Sequence, residues 1–306
     1  MKIPYTGLIK KIVGLIVILL VGIFIVQIFI SHTKQIQDSL ALVSWVNILL
    51  SIIMFLGYFY ARALSWNLIL KSLGNHFKVK DSLFAWFAGE ATRYIPGNIW
   101  SFASRYYLSY TKGIPKANVI LSMLLEILIF LPVTLLLSIP AILENYGKIN
   151  FNGITILVIF VILGIAVVGF FFNKRVKQLV GRLQTIPRNI LSSRTFWEAV
   201  FLQMVSWTVF GLGNYFLIQP FASHISIALL VSISIFAWFV GYVSIVTPMG
   251  LGVREGAIIL LLGSSIGQGQ AGLAAVLSRV VLTAAEVINL LFWFLVNQRN
   301  TKLLNN

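Results

Sequence analysis

Four arginines, Arg93, Arg105, Arg254 and Arg279, stand inside stretches that are otherwise apolar. Arginine keeps its charge in apolar surroundings and presents a fork of donors that matches phosphate or carboxylate oxygens. Arg93 and Arg105 bracket a break, Pro96-Gly97-Asn98, and Arg254 follows a second one, Pro248-Met249-Gly250-Leu251-Gly252. Carboxylates stand close by: Glu90 shares a helical face with Arg93, Glu255 adjoins Arg254, Glu286 shares a face with Arg279, and Glu126 sits in an apolar run. These residue types can bind an anion, with the acids as charge partners or carriers of a coupled proton. Hydrolytic or metal chemistry asks for an activated nucleophile, a general base or clustered ligands. The chain has no cysteine, and His32, His76 and His224 fall at loop ends without metal-ligand spacing. The expectation is therefore no metal, no cofactor and no catalysis.

The elements that position these residues belong to a membrane protein. Of 306 residues 59% are hydrophobic and 10% charged, against about 25% charged in soluble domains. The net charge of +15 is spread in short clusters between apolar runs, which suits an anionic membrane surface and excludes a nucleic-acid-binding domain. Six stretches are long enough to span: 12 to 31, 45 to 70, 117 to 140, 153 to 172, 196 to 219 and 269 to 297. The first has a basic front like a signal peptide, but its apolar run is too long and no cleavage site follows, so it reads as a retained helix. Regions 79 to 111 and 226 to 266 are apolar but interrupted, and each reads as a helical hairpin.

Placing the N-terminus in the cytoplasm puts 17 of the 23 lysines and arginines, Arg62 and Lys71 among them, at cytoplasmic ends or loops. That fits the positive-inside rule and sets both termini in the cytoplasm of a multi-pass cell-membrane protein. Charge does not separate six spans plus two re-entrant hairpins from up to ten crossings.

The order of elements repeats. Pro96 and Pro248 are 152 residues apart, as are Trp45 and Trp197. Three full crossings in each half would insert the second half upside down, the inverted-repeat plan of many transporters. The predicted fold is an all-α integral membrane protein, a polytopic helical bundle of one transmembrane domain over residues 1 to 306. Its inverted repeats, about 1 to 150 and 151 to 306, each carry a broken, re-entrant hairpin.

Backbone that leaves helical geometry in lipid survives only where protein or water surrounds it. Pro96, Gly97 and Asn98 form a plausible tip, and Gly250 and Gly252 do the same work in the second half. Each outgoing arm would then point free N–H groups and partial positive charge toward the protein centre. With Arg93, Arg105 and Arg254 the tips would hold an anion. Glu126 and Arg279 occupy equivalent positions and are expected to pair across the interface between halves, as a structural lock or near substrate. Two plainer readings stand beside these: Arg93 and Arg105 snorkel to headgroups, or Glu255 simply caps its helix.

The run Gly89-Glu90-Ala91-Thr92-Arg93-Tyr94-Ile95-Pro96-Gly97, Glu126, the run Pro248 to Gly256 and Arg279 together resemble the flippase-like transmembrane region of lysylphosphatidylglycerol synthases. The resemblance covers nearly the whole chain. Two-domain members carry a cytoplasmic synthase after this region; here the chain ends at Asn306, so aminoacyl transfer is not implied. It implies lipid transport between leaflets, of a phospholipid or polyprenyl-phosphate lipid with an anionic headgroup. Membrane lipids are the expected partners. The rival is a non-transporting accessory protein that binds lipid or a partner lipid-modifying enzyme such as a glycosyltransferase.

Overall fold

The computed structural model describes residue 30 and residues 33–92, 100–145, 190–244 and 250–304. Within these, the regular elements are all helical. In chain order they are α1 (Thr33–Leu40), α2 (Trp45–Ser72), α3 (Val79–Thr92), α4 (Trp100–Tyr110), α5 (Lys116–Leu137) and α6 (Ile139–Glu144). Then follow α7 (Arg194–Ile218), α8 (Ile227–Val243), α9 (Val253–Ile266) and α10 (Gln268–Leu304). Four stretches are long and apolar enough to cross a bilayer: Trp45–Ser72, Lys116–Leu137, Arg194–Phe221 and Gln268–Val296. They match four of the expected spans, and the other two, 12 to 31 and 153 to 172, lie outside the described residues. The protein is an all-α, polytopic membrane protein.

Helix α2 starts at Ser44, whose hydroxyl accepts from the Asn47 amide, and α8 starts the same way at Ser226 with Leu229. Two glycines with left-handed backbone end helices at one end of the bundle. Gly74 follows α2, with its N–H on Lys71 and that of Asn75 on Leu70; Gly113 follows α4, with its N–H on Tyr110 and that of Ile114 on Ser109. Both are the double hydrogen-bond cap that satisfies a helix's last carbonyls. Asn118 bonds Asn75, and Lys112 pairs with Asp81 at 3.2 Å, so Lys71, Lys78, Lys80, Lys112 and Lys116 gather at one end.

The first broken region doubles back on itself. A Cβ on Gly89 of α3 would collide with Arg105 Cγ and lie 3.0 Å from the Ser101 carbonyl oxygen of α4. Beside the Asp81–Lys112 pair at the far end, this makes α3 and α4 antiparallel. With 14 and 11 residues, the arms are about 21 and 16 Å long, short of the roughly 30 Å hydrocarbon core. In the second broken region, Gly250 (φ 65°) and Gly252 (φ 82°) make the left-handed turn expected of them. Gly250 packs so tightly on α8 that a Cβ would sit 2.5 Å from the Gly241 carbonyl oxygen.

At the centre, α2 and α7 run antiparallel along their whole length. Asn47 Nδ2 donates to the Phe216 carbonyl, Gly57 meets Val209, and Ser65 Oγ donates to the Ala199 carbonyl. Lipid offers helices no hydrophobic drive to associate, so close approach through small residues carries the contact. Gly213 shows this, because a Cβ there would strike the Phe55 ring at 2.7 Å. Helix α5 packs on α7 and α8 as well as on α2 and α4, and α10 packs on α2 and α3 as well as on α9.

The turn at Gly250 yields a paired test. Gly250→Ala forces a Cβ against backbone at positive φ and is expected to cost about 1–3 kcal/mol. Gly256→Ala, on α9 with nothing within 4 Å of the new atom, should be neutral or add about 0.5–1 kcal/mol. Thermal unfolding of the detergent-solubilised protein, followed by tryptophan fluorescence, measures both.

Candidate functional site

Glu126 is buried on α5 and gathers three helices. Arg62 Nη2 of α2 donates to its Oε1 at 2.8 Å, and Arg105 Nη1 of α4 to its Oε2 at 2.7 Å. Trp86 Nε1 of α3 reaches Oε1 at 3.4 Å. Arg62 lies ten residues before the end of α2 and Glu126 ten after the start of α5, so both stand about 15 Å inside the basic end. An ion so deep in lipid needs both a partner and polarisable surroundings. Both are present. The Arg62 guanidinium lies 5.4 to 5.9 Å from the rings of Tyr58, Trp86 and Trp207, and Arg105 lies over Trp66 at 5.2 Å. Tyr58 Oη also accepts from Arg62 at 3.2 Å. Glu90 of α3 is buried as well.

A second cluster stands at the start of α9. Glu255 Oε2 accepts from the Gly252 N–H at 2.6 Å, capping the helix, while its Oε1 accepts from Arg279 at 2.6 Å. Glu255 is thus a cap and a charge partner at once. Arg254 Nη2 donates to Ser278 Oγ at 2.9 Å, and Ser278 in turn donates to Asn214 Oδ1 of α7. Arg254 stacks over Phe210 at 5.4 Å, and Phe210 packs on Trp207, which faces Arg62. One face of α7, carrying Trp207, Phe210 and Asn214, therefore touches both clusters.

Four sequence readings are corrected. Glu126 does not pair with Arg279: Arg279 finds its partner on the arm just before its own helix, α9, and Glu126 finds one on α4 and a second, Arg62, on α2. Short connections, residues 111–115 and Gly267 alone, force those neighbours together, whereas the closing helices α5 and α10 pack against other elements. Arg62 is not at a cytoplasmic helix end but inside the bundle, with its side chain 12% exposed. Arg105 does not snorkel to headgroups, since it is 4% exposed and paired. Arg105 and Arg254 are held in separate hydrogen-bonded clusters rather than in one. Arg93, Pro96, Gly97 and Asn98 lie outside the described residues, as does Pro248. Glu286 is buried on α10. Among the described residues no three acidic or histidine side chains converge as metal ligands. Sequence reasoning missed Arg62, Trp86, Asn214 and Ser278. For Arg62 the signal was its position, deep in an unbroken apolar run.

A helical membrane bundle in which a long central helix and a short arm each bring an arginine to one buried carboxylate defines a polytopic membrane protein with an internal charge site. The particular family follows from the chain itself: residues 11–288 match the lysylphosphatidylglycerol synthase TM region, and the chain belongs to that family. Among curated proteins none matches it.

Removing Glu126 would strand two guanidinium groups. Glu126→Ala is expected to destabilise the protein by about 3–5 kcal/mol, as for other buried pairs that lose one partner. Glu198→Ala breaks a pair with Arg194 of equal length, 2.8 Å, but with Arg194 92% exposed; it should cost no more than about 0.5 kcal/mol. Denaturant or thermal unfolding in detergent compares them.

Proposed function

We propose that this protein moves a lipid between the leaflets of the cell membrane, passing an anionic headgroup through the buried arginine cluster while the tails stay in the bilayer. The observation that carries this reading is the unused donor capacity at mid-depth. Arg62 and Arg105 share one carboxylate, and the buried Nε of each has no hydrogen-bond partner among the described residues. Donors left over beside a helix break are what phosphate oxygens need.

The two halves act in this reading as inverted repeats, each with a re-entrant hairpin. Several observations support it. Shifting by the 152 residues that separate Pro96 from Pro248 carries Arg62 onto Asn214, Glu126 onto Ser278 and Trp86 onto Trp238. Arg62 bonds Glu126, and Asn214 bonds Ser278. The same shift carries Asn47 onto Ala199 and Phe216 onto Leu64, next to the Ser65 that bonds Ala199. The equivalent helices α2 and α7 run in opposite directions, as an inversion requires. Crossed packing of α5 and α10 onto opposite halves has the same symmetry.

The basic end, with Lys71, Lys112 and Lys116, faces the cytoplasm in this arrangement, and so do both termini. Carriage, not covalent chemistry, is the proposed activity, with Glu90, Glu126 and Glu286 as the groups able to couple it to protons.

Reconstitution in liposomes with labelled anionic, neutral and cationic lipids tests the proposal. Exchange of anionic lipid is expected, and Arg105→Ala should slow it about tenfold to a hundredfold, the loss of one charge-assisted hydrogen bond. Unchanged exchange in a folded Arg105→Ala protein would sink the arginine site; no exchange by the wild type would favour an accessory role. The native chain lacks cysteine, so Ala91→Cys and Ser101→Cys report topology cleanly. A re-entrant hairpin predicts that impermeant thiol reagents label both from the cytoplasmic side, and labelling from opposite sides would mean two crossings.

A further inference from the structure

Two buried polar side chains on the central helices have no use in the fold. Gln203 of α7 is 1% exposed and Ser51 of α2 is 0% exposed. Neither atom of the Gln203 amide, nor the Ser51 hydroxyl oxygen, has a hydrogen-bond partner among the described residues. A buried amide with no hydrogen bonds is disfavoured against an apolar side chain of the same size. Serine inside a helix can bond back to a carbonyl one turn earlier, as Ser122, Ser206 and Ser234 do; Ser51 does not.

Their positions are related. Gln203 lies one turn before Trp207 on α7. The contacts of Gly57 with Val209 and of Ser65 with Ala199 set it level with Arg62 on α2. Arg62 Nε and Trp207 Nε1 are also buried and unpartnered. On the other side of the midpoint, Gly213 against Phe55 and Asn47 on Phe216 set Ser51 level with Asn214, which accepts from Ser278, the residue that joins it to Arg254. The shift of 152 residues that carries Arg62 onto Asn214 also carries Ser51 onto Gln203. Each patch thus combines a residue of one half with the unused polar group of the other. Counted from the Gly57–Val209 contact, each lies about 8 Å along the helix axis, in opposite directions.

We infer that these are two headgroup stations on one path, Gln203 with Arg62 and Trp207 at the first and Ser51 with Asn214 at the second, and that they select a headgroup carrying hydroxyls beside its phosphate. An amide or a hydroxyl both donates and accepts, and a ligand hydroxyl answers both roles. Arg62 Nε and Trp207 Nε1 only donate, and phosphate oxygens answer them. The inference rests on the proposed carriage of an anionic lipid and names which lipid chemistry the path prefers: glycerol- or sugar-phosphate headgroups over bare phosphate.

Binding separates this from the transport reading. The full-length protein in detergent is titrated with phosphatidylglycerol, which bears hydroxyls, and with phosphatidic acid, which lacks them, and thermal stabilisation is followed. The wild type is expected to bind phosphatidylglycerol about tenfold more tightly, the factor for roughly one net hydrogen bond. Gln203→Leu should abolish that preference without weakening phosphatidic acid, and Ser51→Ala should reduce it. No preference in the wild type overturns the inference. So does a Gln203→Leu protein that melts higher yet keeps the preference, because that marks a site holding ordered water only. Preference without leaflet exchange supports these contacts while refuting carriage. Exchange without preference refutes these contacts alone.

Discussion

A single carboxylate holds the first half together. Glu126 receives Arg62 from the central helix, Arg105 from the outgoing hairpin arm and Trp86 from the incoming one. An arm of 11 residues is marginal by itself, since isolated helices below roughly 12–15 residues barely form in water. Its place is fixed where Arg105 meets Glu126 and where Gly89 lets the two arms touch. The same contact explains the glycine. Any side chain at position 89 would occupy the space through which the Arg105 stem reaches its partner.

The second half solves the same problem with different chemistry. Where the first has Arg62 on Glu126, the second has Asn214 on Ser278, a neutral bond in place of an ionic one. Between the hairpin and the closing helix the charges are reversed, arginine to glutamate in one half and glutamate to arginine in the other. In addition Glu255 spends one oxygen on capping α9, which no described group does for Glu126. The two hairpins are therefore tied down with unequal strength. A ligand anion would compete with Glu126 for two arginines at the first cluster, and with a neutral serine for Arg254 at the second.

Much of the frame was legible in the sequence. Apolar runs gave four of the crossing helices, and the Pro-Gly and Pro-Met-Gly breaks fall between separate helical arms, α3 and α4 in one region and α8 and α9 in the other. Gly250 and Gly252 turned where their residue type allowed. Partner choice was not legible, because spacing along a chain shows which residues share a face but not which helix that face meets. The spacing of Glu126 and Arg279, within a residue of that between the two prolines, suggested a pair, yet each pairs locally through a short connection. Arg62 illustrates a different loss. Counting it among basic helix ends served the charge asymmetry and hid its depth, although ten residues of α2 follow it.

The aromatic column on α7 ties the two clusters into one object. Tyr58, Trp207 and Phe210 pack with ring centres 5.1 to 5.3 Å apart, with Arg62 against Trp207 at one end and Arg254 over Phe210 at the other. Rings fill the space between two cations with surfaces that attract both, whereas aliphatic side chains would leave each charge against a medium of low polarisability. A central pair of helices cannot tilt far without separating one cation from its ring. Rings thus brace the antiparallel core between its two cations, while ion pairs tie α4 to α5 and α9 to α10 around it.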